Sequence, residues 1–149
     1  MSLISWWQTR DMLSSAGDVQ IAPLRLPTLG GPVSTLAADP ERNTLIYFFA
    51  PWCSICRMSI GNLDGINEEY TQIAVIALDY DSVEAVQAFV DEVGLERPVL
   101  LGNADVRALF KIKGYPSYYI LDRDFNIVSR DMGYTSEMGL RTRAWQAAK

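Results

Sequence analysis

The stretch FFAPWCSICRMSIGNL, residues 48–63, runs from an apolar segment straight into two cysteines spaced C-x-x-C. Cys53 and Cys56 are the only cysteines in the 149-residue chain, and histidine is absent. Just upstream, NTLIYFFA (residues 43–50) is continuously apolar and aromatic-rich, the pattern of a strand buried on both faces.

Three uses of such a pair compete. A zinc site needs two further ligands, and with no third cysteine and no histidine only carboxylates remain, an unusual set for structural zinc. A purely structural disulfide would close a very small loop and so constrain the unfolded chain least. A chain of this length also buries roughly two thirds of its unfolded surface and needs no staple. The third use is redox chemistry, which the flanking residues favour. A buried strand delivers the chain into a helix whose first residues include Cys53. There, unsatisfied N–H groups and a partial positive charge stabilise the nucleophilic thiolate. Cys56 follows one turn deeper on the same side, within reach of a second bond. Pro51 suits the end of the strand, and Trp52 supplies an apolar wall beside the nucleophile or packs in the core.

Magnitudes give the expected direction. A helix terminus is worth about 0.3–1 kcal/mol, up to about 2 in favourable settings. Ser54 and Ile55 add no charge, and Arg57 is expected to face solvent. That stabilisation falls well short of what a strongly oxidising pair requires, so the expected side is the reducing one.

Composition narrows the classes further. An apolar fraction of 49% and a charged fraction of 21% are ordinary for a soluble domain. A net charge of -5 without a basic run argues against nucleic acid. No apolar run reaches the roughly 18 residues of a membrane span. The opening MSLISWWQTRDML lacks the charged and apolar regions of a signal peptide. Nothing in the pattern calls for a metal or an organic cofactor.

Along the chain, IAPLRLPTLGGPVSTL (21–36) reads as a hairpin around Gly30-Gly31. A helix is predicted from about Cys53 to Tyr70, weakened by Gly61 and Gly65, followed by a second buried strand, QIAVIAL (72–78). DSVEAVQAFVDEVG reads as a helix with Asp81 and Glu84 at capping-box spacing, an apolar face of Val83, Val86, Phe89, Val90 and Val93, and a stop at Gly94. RPVLLG reads as a short strand and ADVRALFKI as a short helix ended by Gly114. SYYILD (117–122) and NIVSRD (126–131) flank a turn at Arg123-Asp124-Phe125, and TSEMGLRTRAWQAAK (135–149) reads as a closing helix. The order predicts an α/β domain, a mixed central sheet flanked by helices with the strand at 43–50 in the middle and an antiparallel pair at 117–131.

With FFAPWCSIC and GYPSYYILDRDFNIVSRDMG (114–133) in view, the chain resembles the thioredoxin superfamily. The resemblance implies a thioredoxin-like fold over residues 20–149 and a cis-proline at Pro116, facing the cysteines and preceded by Tyr115. An exposed main-chain edge at Tyr115 could then pair with a substrate strand. The N-terminal hairpin and the β/α insertion between the second strand and Pro116 resemble the periplasmic TlpA/ResA-like branch. More weakly, ISWWQTRDML followed by this layout resembles the thioredoxin-like member of the suppressor-of-copper-sensitivity group.

These resemblances imply a periplasmic protein disulfide oxidoreductase that reduces protein disulfides, including those of apocytochromes c. Cys53 would attack, Cys56 resolve, and Trp52, Tyr115 and Pro116 form the docking surface. They also imply a membrane thiol reductase as electron donor, an inner-membrane tether ahead of a juxtamembrane-like segment (1–19), and a monomer. Trp6 and Trp7 would sit at the headgroup level or pack on the domain. A disulfide oxidase or isomerase and a Cu(I)-binding chaperone remain alternatives. A peroxidase is disfavoured by Ala50, where peroxiredoxins carry a hydroxyl residue. Two positions depart from the pattern: thioredoxins carry a buried Asp at the place of Tyr47, and ResA-like proteins a Glu at the place of Ser59. Each acid assists proton transfer from the deeper thiol, so the proton acceptor for Cys56 is left open. Ser117 replaces the commoner threonine.

Overall fold

The computed structural model describes residues 12, 13 and 17–133. The chain forms β1 (Leu24–Pro27), β2 (Val33–Leu36), β3 (Asn43–Phe49), α1 (Ser54–Ser59), a 3₁₀ helix (Ile60–Gly65), β4 (Thr71–Ala77), α2 (Val83–Val93), β5 (Val99–Leu101), α3 (Ala104–Leu109), β6 (Ser117–Leu121) and β7 (Ile127–Met132). β1 and β2 make the expected hairpin, turning where Gly30 adopts a φ of 69°. The other five strands form one sheet in the order β5-β4-β3-β6-β7. β3 is therefore central, parallel to β4 and antiparallel to β6.

Every residue of β3 is buried, and its strict two-residue alternation builds two cores. Leu45, Tyr47 and Phe49 face a cluster with Cys53, Cys56, Leu63, Val86, Phe89 and Tyr118. Ile46 and Phe48 face the opposite cluster with Leu26, Leu36, Val106, Phe110 and Tyr119. The N-terminal hairpin thus covers the second face. It also hooks onto the sheet edge, where the Leu29 N–H donates to the Val99 carbonyl at 2.8 Å.

Three local expectations are corrected. The helix after Cys53 does not reach Tyr70: it is α-helical only to Ser59 and tightens to 3₁₀ through Gly65, consistent with two glycines weakening regular helix. α2 is capped by Ser82, not Asp81; the Ser82 hydroxyl accepts the Ala85 N–H at 3.1 Å, which leaves no capping box. Val83 of its proposed apolar face is 44% exposed. α3 starts from Asn103, whose side chain accepts the Val106 N–H at 2.9 Å, and stops at Leu109 before the positive φ of Lys111, short of Gly114. The left-handed Gly94 ends α2 as read. Among the described residues no helix is long and apolar enough to cross a membrane. Trp6, Trp7 and the closing segment 135–149 lie outside the described residues.

Gly102 shows how closely the sheet edge is packed. A Cβ there would stand 2.5 Å from Leu78 Cδ2 and 2.9 Å from the Ala77 carbonyl oxygen, whereas one at Gly61 would meet nothing within 4 Å. Gly102→Ala should lose about 1–3 kcal/mol of stability through overpacking. Gly61→Ala should be neutral or gain up to about 1 kcal/mol. Urea unfolding of the two variants against the parent checks the contrast.

Candidate active site

Because β3 and β4 run parallel in the register Phe49↔Ala77, their carboxyl ends lie side by side. The segments leaving them therefore emerge at one edge of the sheet, the side on which parallel α/β sheets gather their sites. One carries Ala50-Pro51-Trp52-Cys53 and the other Leu78-Asp79-Tyr80.

Cys53 closes a turn, its N–H donating to the Ala50 carbonyl at 3.1 Å. It is the N-cap of α1 rather than a residue inside the helix, with extended φ/ψ, and its sulfur accepts the Cys56 N–H at 3.2 Å. A side chain at this position meets one of the orphan amides of the first turn. From the other side the Cys53 thiol donates to the Tyr115 carbonyl at 3.6 Å. The Tyr115–Pro116 peptide is cis. The structure thus brings Cys53, Cys56, Tyr115 and Pro116 together as the sequence resemblance implies. Both cysteines are free thiols; Cys53 is 7% exposed and Cys56 fully buried.

Trp52 does not pack in the core. It is 62% exposed, its indole N–H donates to the Asp79 carbonyl at 2.9 Å, and it meets the Tyr115 ring edge-on at 5.7 Å between centroids. Arg57 pairs with Glu92 at 2.9 Å and lies 5.5 Å from the centroid of the Phe89 ring.

Beneath Cys56 the two departures from the family pattern meet. Tyr47 points to the cysteine face because of its parity on β3, and Ser59 lies three residues beyond Cys56 on α1. The Tyr47 hydroxyl sits 2.9 Å from the Ser59 hydroxyl and 3.4 Å from the Cys56 carbonyl oxygen, and both side chains are fully buried. A neutral hydroxyl pair therefore occupies the space where either acid would have stood. Burial, and then the hydrogen bond with Cys53, pushes the Cys56 thiol above its ordinary value, while the nearby Tyr47 hydroxyl acts in the opposite sense. Tyr47 is itself raised far beyond the phenol range, by burial first and the nearby Cys56 second, so it remains a neutral donor. This contact was readable from two parities, strand and helix, taken together.

A second polar cluster was not readable from the sequence pattern. Asp79 adopts a positive φ of 50°, a conformation costing an L-residue about 1–2 kcal/mol. Its carboxylate accepts the Tyr115 hydroxyl at 2.6 Å and pairs with Arg107 Nε at 3.0 Å. Burial, and then the Asp79 hydrogen bond, raises Tyr115 above the usual phenol range. On the far side Asp79 borders a cleft of about 940 Å³ shared with Tyr80, Arg107 and Lys111. Among the described residues no three His, Cys, Asp or Glu side chains gather as a metal site.

Comparison with known proteins fits this arrangement. The thioredoxin-like protein YneN of Bacillus subtilis (strain 168) is 32% identical over 108 residues, 69% of this chain and 64% of YneN. The thiol-disulfide oxidoreductase ResA of Oceanobacillus iheyensis is 29% identical over 84 residues, 54% of this chain and 44% of ResA. The chain thus spans less than two thirds of the length of either relative. The crystal structure of the exposed lipoprotein thioredoxin Etrx1 of Streptococcus pneumoniae superposes with a TM-score of 0.72 at 18% identity, covering 84% of this chain and 99% of that one. It shares the thioredoxin-like fold. Residues 19–130 match the AhpC/TSA family, and with this fold the chain belongs to that family in its thioredoxin-like form.

Proposed function

We propose that the protein is a thiol–disulfide oxidoreductase that reduces protein disulfides, with Cys53 as nucleophile and Cys56 as resolving thiol. The observation that carries the reading is the placement of Cys53. Its sulfur is held between the Cys56 amide at the start of α1 and the Tyr115 carbonyl, with the second thiol one turn beneath. Reduced Cys53 attacks a substrate disulfide, forming a Cys53–substrate bond while the other substrate sulfur leaves and takes up a proton. Cys56 then gives up its proton and attacks Cys53, releasing the second substrate thiol and leaving a Cys53–Cys56 disulfide. Two electrons pass to the substrate, and a membrane thiol reductase returns them. Trp52, Tyr115 and Pro116 form the docking surface. That ResA is a thiol-disulfide oxidoreductase supports the chemistry, and that Etrx1 is an exposed lipoprotein supports a tethered protein outside the cytoplasm, here the periplasm.

The direction is tested by the reduction potential of the pair, measured against glutathione or dithiothreitol. A value near or below roughly -250 mV is expected; one near roughly -120 mV would make the protein an oxidant. Cys56→Ala should accumulate a mixed disulfide with a substrate protein, whereas Cys53→Ala should abolish reduction; mass spectrometry reads both.

The raised Cys56 thiol sets the pH dependence. Below its pKa the reactive thiolate fraction grows about tenfold per pH unit, so resolution of a preformed mixed disulfide should accelerate by that factor between about pH 6 and 8. Tyr47→Phe removes the neighbouring hydroxyl that acts in favour of the thiolate, an interaction of hydrogen-bond size, about 0.5–1.5 kcal/mol. It should slow resolution by about 2- to 12-fold at every pH, measured by stopped-flow release of the second thiol.

A further inference from the structure

We propose that Asp79 is a positioning residue for polypeptide substrates, its carboxylate locking the Tyr115 side chain and its carbonyl locking Trp52 beside Cys53. The inference rests on the reductase reading above and adds what holds the docking surface in shape. Trp52 belongs to the turn after β3, Tyr115 to the segment before β6, and Arg107 to α3. Asp79, leaving β4, bonds to all three at 2.9, 2.6 and 3.0 Å respectively. The Arg107 guanidinium fixes the carboxylate through a charged contact, stronger than a neutral hydrogen bond. The Asp79 backbone holds a positive φ, as strained residues at binding sites commonly do.

The geometry shows why a substrate would register this clamp. The Tyr115 carbonyl accepts the Cys53 thiol at 3.6 Å. Once Cys53 has entered a mixed disulfide it has no S–H to donate. That carbonyl then becomes available to an N–H of an extended substrate chain. A polypeptide therefore binds a surface whose usefulness depends on Tyr115 and Trp52 being already in place, because ordering flexible side chains on binding weakens affinity. A small disulfide needs the Cys53 sulfur and little else. Asp79 thus acts on selectivity for polypeptides over small disulfides.

The test uses the full chain with Asp79→Ala, which removes both side-chain acceptor oxygens, Tyr115→Phe and the double variant. The substrates are an unstructured peptide carrying one disulfide and hydroxyethyl disulfide. Each single variant should raise KM for the peptide about 5- to 10-fold with little change in kcat, lowering the peptide-to-small-disulfide selectivity by a similar factor. The double variant should be no worse than the poorer single one, since both break the same bond. An unchanged peptide KM in both single variants overturns the proposal. So does an equal loss on both substrates, which marks a general structural effect, or a double variant whose effects multiply. Should Asp79→Ala fold poorly, Tyr115→Phe breaks the contact from its other end and decides alone. If the parent protein reduces neither substrate, the reductase reading itself fails, a result distinct from parent activity without selectivity loss.

Discussion

The burial of β3 on both faces is the constraint from which the rest of the molecule follows. Seven consecutive buried residues leave no solvent-facing side to the strand, so each face must be covered by a separate layer. One layer is the helical region from α1 onward with α2; the other is the N-terminal hairpin with α3. At about 1.5–3 kcal/mol for each large side chain fully buried, β3 anchors both cores at once. A one-residue slip would move Tyr47 away from Cys56 and send Phe48 into the wrong layer. The parallel register with β4 then decides where chemistry can occur, because it places the exits of both strands at a common edge.

The deeper thiol shows what that central strand does to reactivity. A carboxylate at the place of Tyr47 or Ser59 would be an ionisable group within the apolar core, expensive to keep charged. The hydroxyl pair at 2.9 Å avoids that expense and satisfies its own polar atoms. It supplies no base of its own, while burial holds the Cys56 thiol protonated. In the proposed cycle this separates the two sulfurs by environment: Cys53 sits at a helix end with a sliver of exposure, and Cys56 lies beneath it in a closed, neutral layer.

Legibility in the sequence followed the range of the interactions. The two-sided run at 43–50, the Gly30-Gly31 hairpin, the pair at 117–131 and the C-x-x-C spacing are local or periodic, and all were readable. The cap of α2 was misplaced by one residue because Asp81 and Ser82 are both competent caps, and only the path of the chain selects between them. The early end of α1 was signalled by Gly61 and Gly65, yet the tightening to 3₁₀ also reflects burial of Ile60 and Leu63, a tertiary fact. Asp79 escaped altogether. Its partners lie 27 and 36 residues away for Trp52 and Tyr115, and no spacing rule joins an acid to a tyrosine across a sheet.

The surroundings of Cys53 finally bear on how any substrate reaches it. The sulfur belongs to a residue only 7% exposed, yet Trp52 beside it is 62% exposed. In the proposed cycle a recessed sulfur beside an exposed aromatic ring suits a partner that lays apolar surface on that ring, because burying it supplies binding energy without needing complementary charge. The ionic groups nearby are already engaged: Arg57 with Glu92, and Arg107 with Asp79. In the proposed cycle, recognition on this edge rests on shape and main-chain pairing, and both are served by a docking surface that is rigid before the partner arrives. The tie from Asp79 to Trp52 and Tyr115 supplies that rigidity on one side of the sulfur, and the packing of α1 on the buried Cys56 supplies it on the other.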